Sequence, residues 1–289
     1  MFYLWDNPPT LRNRLTRHSS LIVLLLIAAL APALQAQQTT ERIFAVMGIA
    51  REVAPVESRL QGTTTTNIQG MVFTSGTITG ARIVTVRSSV GKTNSALAAA
   101  LLLERFKPSA VIWTGTAGAV DPGLNPADVV IGIGVGYHDY GAMTVGGFTR
   151  NPTRNSGTGQ TDPAFFPPDG NLLAAARRAA GVVTLSRGPL PASEPAPRIL
   201  EGLIATGDAF VADPARRNEI RTALKASAVE MEGAAVAQVC ARYNIPFLVI
   251  RSITDRADGQ ATDRYQRFVD TSSHNAAELA LATIQQLLR

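Results

Sequence analysis

Two kinds of apolar segment alternate along most of the chain. One kind is short and unbroken: IFAVMG from Ile43, ARIVTVRSS from Ala81, SAVIWTGTAG from Ser109, ADVVIGIGVG from Ala127, SAVEME from Ser227 and IPFLVIRSITD from Ile245. The other is rich in alanine and leucine, as in SALAAALLLERF (95–106) and GAAVAQVCARY (233–243). Apolarity without alternation predicts strands covered on both faces, and the alanine-rich segments predict the covering helices. Their succession reads as an α/β domain with a largely parallel sheet between helix layers. Within 233–243, Val236, Val239, Cys240 and Tyr243 recur at three- and four-residue spacing, which gives one apolar face to lay on a sheet. Stretches 146–170 and 186–198 are rich in Gly, Pro, Ser and Asn and read as loops within that domain, because strand-like segments resume after each.

The first 36 residues do not fit this alternation. Arg12, Arg14 and Arg17 precede an apolar run of 14 residues, Leu21 to Leu34, with small residues at Ala31, Ala33 and Ala36. This is the pattern of a secretory signal removed near Ala33 or Ala36, and the run falls short of the ~20 residues a spanning helix needs. Residues 37–289 are then one mature domain in a periplasmic or secreted setting. Removing residues 1–36 takes away three arginines and Asp6, lowering the formal charge from +5 to +3, too little for a nucleic-acid stripe. Cys240 is the one cysteine, and His138 and His274 are the histidines that remain. An intramolecular disulfide is excluded, and a histidine-rich metal site or a Ser-His-Asp triad has little material. The chemistry must rest on carboxylates.

Two glycine motifs fail on inspection. VGKT at 90–93 lacks the glycine that a phosphate loop needs five residues before Gly91, where Val86 stands; GIGVGY at 132–137 lacks the third glycine of a dinucleotide fingerprint. What survives is VEMEGAAVAQVC with IPFLVIRSITD, a strand, helix and strand. If the two strands are parallel neighbours or near neighbours, a crossover brings Glu232 and Asp255 to one sheet edge, where α/β sheets bind ligands. Glu232 also falls at a helix start, where the dipole favours an ionised acceptor. Each acid has a plainer reading, as a helix cap or a strand-end turn residue.

VEMEGAAVAQVCARYNIPFLVIRSITDRAD closely resembles the signature of the nucleoside phosphorylase and nucleosidase superfamily, and within it the 5′-methylthioadenosine/S-adenosylhomocysteine nucleosidases. Four more segments match in order: VMGIAREV (46–53), VRSSVGK (86–92), WTGTAG (113–118) with GYHD (136–139), and ATGDAFV (205–211). The resemblance implies a three-layer α/β/α phosphorylase/hydrolase-like fold with a central mixed, largely parallel twisted sheet. It implies a homodimer without metal or organic cofactor. It also implies roles. Glu52 activates water, Ser88 lines the ribose and water region, and Phe210 stacks on the purine. Main-chain groups of Val211 bind the base edge, and Met231 packs beneath the sugar. Glu232 accepts from ribose hydroxyls and Asp255 protonates or hydrogen-bonds purine N7, with Glu230 and Arg251 as supporting site residues.

These roles suit the chemistry of an N-glycosidic bond, whose cleavage needs an activated leaving base and stabilisation of a ribosyl cation. Trp113 stands where phosphorylases of the superfamily carry a phosphate-holding arginine, and it cannot donate forked hydrogen bonds. Water is therefore the expected nucleophile. Arg51 and Arg87 leave a phosphate-dependent phosphorylase as the alternative, although Arg87 should point away from Ser88's face of its strand. A non-catalytic nucleoside-binding protein is the other alternative.

Overall fold

The computed structural model describes residues 42–289; the signal expected over residues 1–36 lies outside them. In chain order the elements are β1 (Ile43–Ile49), α1 (Ala50–Glu57), β2 (Gln61–Ile68), β3 (Met71–Ile78), β4 (Ala81–Ser88) and α2 (Lys92–Phe106). Then come β5 (Ala110–Ala119), β6 (Val129–Tyr137), the hairpin β7 (Gly141–Thr144) and β8 (Gly147–Arg150), α3 (Gly170–Ala180) and β9 (Ile199–Thr206). The chain ends with α4 (Pro214–Leu224), β10 (Ala228–Glu230), α5 (Gly233–Tyr243), β11 (Phe247–Asp255) and α6 (Ala261–Leu287). Nine strands form one mixed sheet in the order β10-β9-β6-β11-β5-β1-β4-β3-β2.

The unbroken apolar runs are explained by burial on both faces. Phe44, Val46, Ile83, Ile112, Leu248 and Ile250 pack with Val56 of α1, Leu172 and Ala176 of α3, and Ala276 to Ile284 of α6. The intervening residues Ala45, Met47, Val84, Val86, Val111, Trp113 and Val249 pack on the opposite side against Ala98 and Leu102 of α2 and Val236, Ala237 and Cys240 of α5. Period-2 side-chain direction thus feeds two cores from each strand. Tyr243 departs from the expected apolar face of α5: it is 41% exposed, and its hydroxyl donates to Glu104 at 2.8 Å.

β2 and β3 extend the sheet beyond what apolar patterning predicts. β2, QGTTTTNI, is exposed along nearly its whole length and is held by the β-branched preference of its threonines and by pairing with β3. Both turns of the β2-β3-β4 meander place two successive residues at positive φ, Gln69 (53°) with Gly70 (81°) and Thr79 (49°) with Gly80 (82°). That is the conformation that matches the twist of paired antiparallel strands.

The expected parallel placement of β10 and β11 is not what forms. β11 is parallel to β5, whereas β10 is antiparallel to β5 and parallel to β9. The pairings β5-β11-β6-β9-β10 therefore return to β5 and close a ring. Gly118 of β5 is paired with Asp255 on one side and Val229 on the other. The two acid-bearing segments still meet, but through a shared central strand rather than through a simple crossover.

Candidate active site

A cavity of about 420 Å³ opens where β1, β5, β10 and β11 end, a size suited to a small ligand. Glu52, Glu230, Met231, Glu232, Asp255, Phe210 and Val211 all line it. The four sequence-distant segments that carry these residues are thus brought to one place.

Glu52 occupies the third position of α1 and is buried. Its Oε2 accepts from the backbone N–H of Ile49 at 3.1 Å, one half of a capping box that the isoleucine cannot reciprocate. Its Oε1 accepts from both N–H and Oγ1 of Thr116, at 2.8 and 2.9 Å. Burial nonetheless dominates and raises the carboxyl above its ordinary range, against the opposing pull of Arg251 and the three donors. This close packing depends on Gly115, where a Cβ would collide with the Glu52 carboxylate and the Arg251 guanidinium. Sequence reasoning did not single out Thr116 or Gly115, although both lie in the quoted WTGTAG segment.

Glu230 and Glu232 divide the work of the α5 start. Glu232 is the N-cap residue, yet its side chain does not cap. Glu230 does so instead, accepting from the N–H groups of Glu232 at 3.0 Å and Gly233 at 2.7 Å, and also from Thr206 Oγ1 and Arg251 Nη2. Glu232 accepts from Gly91 N–H at 3.0 Å and from Arg251 Nη2 at 3.0 Å. The expectation that the helix start keeps Glu232 readily ionised needs correction. Burial pushes its pKa up to about 7; Arg251 opposes this, while the neighbouring Glu230 and Glu52 carboxylates add to it.

Arg251, expected among the site-supporting residues, is fully buried and does not line the cavity. It sits behind three carboxylates, with Nη1 3.6 Å from Glu52 Oε1 and its guanidinium 5.4 Å from the Trp113 ring centre. Such a guanidinium fixes the acids relative to one another. Nη1 itself has no hydrogen-bond partner.

Asp255 is buried at the end of β11, accepting from Thr254 Oγ1 at 2.7 Å and Ala257 N–H at 2.8 Å. Burial raises its pKa despite these donors. Phe210 is half exposed at the cavity rim, edge-on to Tyr265 of α6 with ring centres 6.1 Å apart. Tyr265, like Thr262 beside it, lines the cavity and carried no motif signal. Ser88 ends β4 and is buried, but its hydroxyl donates to the Ser89 carbonyl at 2.7 Å and Val90 takes its place on the wall.

None of the lining residues is Lys or Arg. Arg51 is held by Asp270 through two bonds of 2.7 and 3.0 Å, and Arg87, pointing away from buried Ser88 as expected, is held by Glu57 at 2.5 Å. The 146–170 stretch, which includes β8, is tied down away from the site: Asp162 accepts from Thr153 at 2.6 Å and from Arg242 of α5 at 2.5 Å. None of it lines the cavity.

Comparison with known proteins gives a consistent result. A family model described as phosphorylase superfamily matches residues 42–285. A 5′-methylthioadenosine/S-adenosylhomocysteine nucleosidase of Anoxybacillus flavithermus is 35% identical over 245 residues, covering 84% of this chain and 98% of that protein. The crystal structure of the corresponding Neisseria meningitidis nucleosidase in complex with methylthio-immucillin-A is 31% identical with a TM-score of 0.72, covering 85% of this chain and 99% of that one. The native futalosine hydrolase of Helicobacter pylori is 26% identical with the same TM-score of 0.72, covering 86% of this chain and 100% of that one. With the three-layer fold, the acid-lined cavity and a match over nearly every described residue, this chain belongs to the phosphorylase superfamily.

Proposed function

We propose that the protein hydrolyses the N-glycosidic bond of adenine nucleosides, with 5′-methylthioadenosine and S-adenosylhomocysteine, named for its relatives, as the substrate class. One observation carries the reading: Glu52, Glu232 and Asp255 line a single cavity that offers no cationic side chain to a phosphate. Asp255, whose burial favours the protonated form, donates to purine N7 as the C1′–N9 bond breaks. Glu232 has spare acceptor capacity for ribose hydroxyls, and its negative charge favours the cation developing at C1′. Glu52 takes a proton from water while the water oxygen bonds to C1′; burial raises its pKa and makes it a stronger base than an ordinary carboxylate. Three donors occupy most of its roughly four acceptor positions, leaving about one for that water. Nη1 of Arg251, 3.6 Å from Oε1 on the side away from the cavity, holds the Glu52 carboxylate in that orientation. The products are adenine and the free sugar.

The deciding assay incubates the protein with methylthioadenosine, S-adenosylhomocysteine, adenosine, inosine and futalosine, with and without phosphate. Release of free base independent of phosphate is expected; strict phosphate dependence would sink the hydrolase reading. Binding of adenine without release from any nucleoside would favour a binding protein instead.

Two further parts of the reading rest on other grounds. Export rests on the basic and apolar pattern of residues 1–36, and cell fractionation should find a shortened chain outside the cytoplasm. Assembly as a homodimer rests on the family resemblance and on the apolar side chains of the β7-β8 hairpin, where Met143 is 77% exposed. Light scattering should give twice the chain mass.

A further inference from the structure

Three of the matching segments contribute residues that the reaction above does not use: Lys92 of VRSSVGK, Asp139 of GYHD and Asp208 of ATGDAFV. Lys92 opens α2, whose N-cap Gly91 has φ 99° and so needs a glycine. The Lys92 ammonium donates to both oxygens of Asp139, at 2.7 and 2.8 Å, and lies 3.5 Å from Asp208 Oδ2. Asp139 Oδ2 also accepts from Asp208 N–H at 2.8 Å, and Asp208 Oδ1 accepts from Lys92 N–H at 2.8 Å. The triangle is therefore closed by backbone as well as side-chain bonds.

Its corners meet the site from two directions. Residues 209–211, immediately after Asp208, line the cavity, and the N–H of Gly91, immediately before Lys92, holds Glu232 Oε1 at 3.0 Å. We propose that Lys92, Asp139 and Asp208 form a clamp that positions the Phe210 and Val211 wall relative to Glu232; as a statement about turnover it rests on the nucleosidase reading above. Lys92 is a positioning residue, since it touches neither the cavity nor the reacting atoms. The Lys92–Asp208 contact, with Asp208 half exposed, adds little to fold stability, and the Lys92–Asp139 pair, 22% and 25% exposed, ties the two segments together.

The test replaces Lys92 by cysteine and then rebuilds a lysine analogue by alkylating that thiol with bromoethylamine; Cys240, the one natural thiol, is buried. Lys92→Cys should raise KM and the adenine Kd about tenfold, with kcat changed less than about threefold and the melting temperature nearly unchanged. Aminoethylation, verified by mass, should return both constants to near the wild-type values. Unchanged KM and Kd in the cysteine variant, or no recovery after complete alkylation, would overturn the clamp. Amide hydrogen exchange provides an arm that needs no ligand: residues 208–211 should exchange about tenfold faster in Lys92→Cys and slow again on alkylation. Should the wild type cleave no nucleoside, the activity reading fails while this arm still decides the clamp, and unaltered exchange at 208–211 would refute it.

Discussion

Glu230 and Glu232 stand two residues apart, are both buried and both contact Arg251, yet their surroundings differ in one decisive respect. Glu230 receives hydrogen bonds from two backbone N–H groups, a threonine hydroxyl and the guanidinium, which fills the roughly four acceptor positions of a carboxylate. Glu232 receives two, from Gly91 and Arg251, so about half its capacity faces the cavity. A saturated acid belongs to the scaffold. An unsaturated acid held by the same cation is available to a ligand. Type and burial alone would not have separated them.

The largest effect should come from the other two lining acids. Glu52→Gln and Asp255→Asn should each lower kcat by about 10³-fold without loss of fold, measured as single-turnover base release, because each removes a proton-transfer partner. Near-normal turnover in either would remove that residue from the mechanism. Glu232→Gln should lower kcat by about 10²-fold, as expected for a lost electrostatic partner of the transition state. Glu230→Gln is the direct contrast: it should lower unfolding free energy by about 3 kcal/mol in denaturant titration, since it uncouples a buried pair, with the smaller effect on turnover. If Glu230→Gln spares stability and abolishes turnover, the division between scaffold and ligand acid is wrong.

Acidity sharpens the same contrast. Glu232 with a pKa of about 7 should ionise only as pH rises through neutrality, so kcat/KM should fall on the acid side of about pH 7, and Glu232→Gln should leave only the acid limb set by the Glu52 base. The stability consequence has the opposite sense. A carboxyl raised from 4.5 to about 7 by folding binds its proton more tightly in the native state, so its contribution is full below 4.5 and is lost as pH rises through about 7. Melting curves of wild type and Glu232→Gln should therefore diverge in the variant's favour as pH rises from 4.5 to about 7. The smallest effect lies outside the acid cluster: Asp213, which caps α4 by accepting from Ala215 and Arg216 N–H, should cost ~1 kcal/mol on substitution by alanine and leave kcat unchanged.

The parts of this molecule legible in sequence are those where one physical demand dominates. β1, β5 and β11 must be apolar on both faces, and their runs are unbroken. β2 escapes that logic because threonines at a sheet edge are selected for backbone shape rather than burial. The direction of β10 escaped as well: three residues cannot signal which neighbour they pair with, and a second partner on β5 decides it. Of the site, Glu52, Glu232 and Asp255 were readable from ordered motifs. Thr116, Tyr265 and the buried position of Arg251 were not, because their contribution arises from contacts between segments far apart in the chain.

The double pairing of Gly118 has a consequence for substrate choice. Because Val229 and Asp255 are both registered against this one residue, the span from Glu230 and Glu232 to Asp255 is set by a backbone ladder, like the fixed jaws of a gauge. A Cβ at position 118 would also lie 2.9 Å from Asp255 Oδ1, so the gauge has little room for adjustment by substitution. Ligands should therefore be sorted strictly by the distance between purine N7 and the ribose hydroxyls. Variation is left to the rim, where Phe210 and Tyr265 meet edge to face.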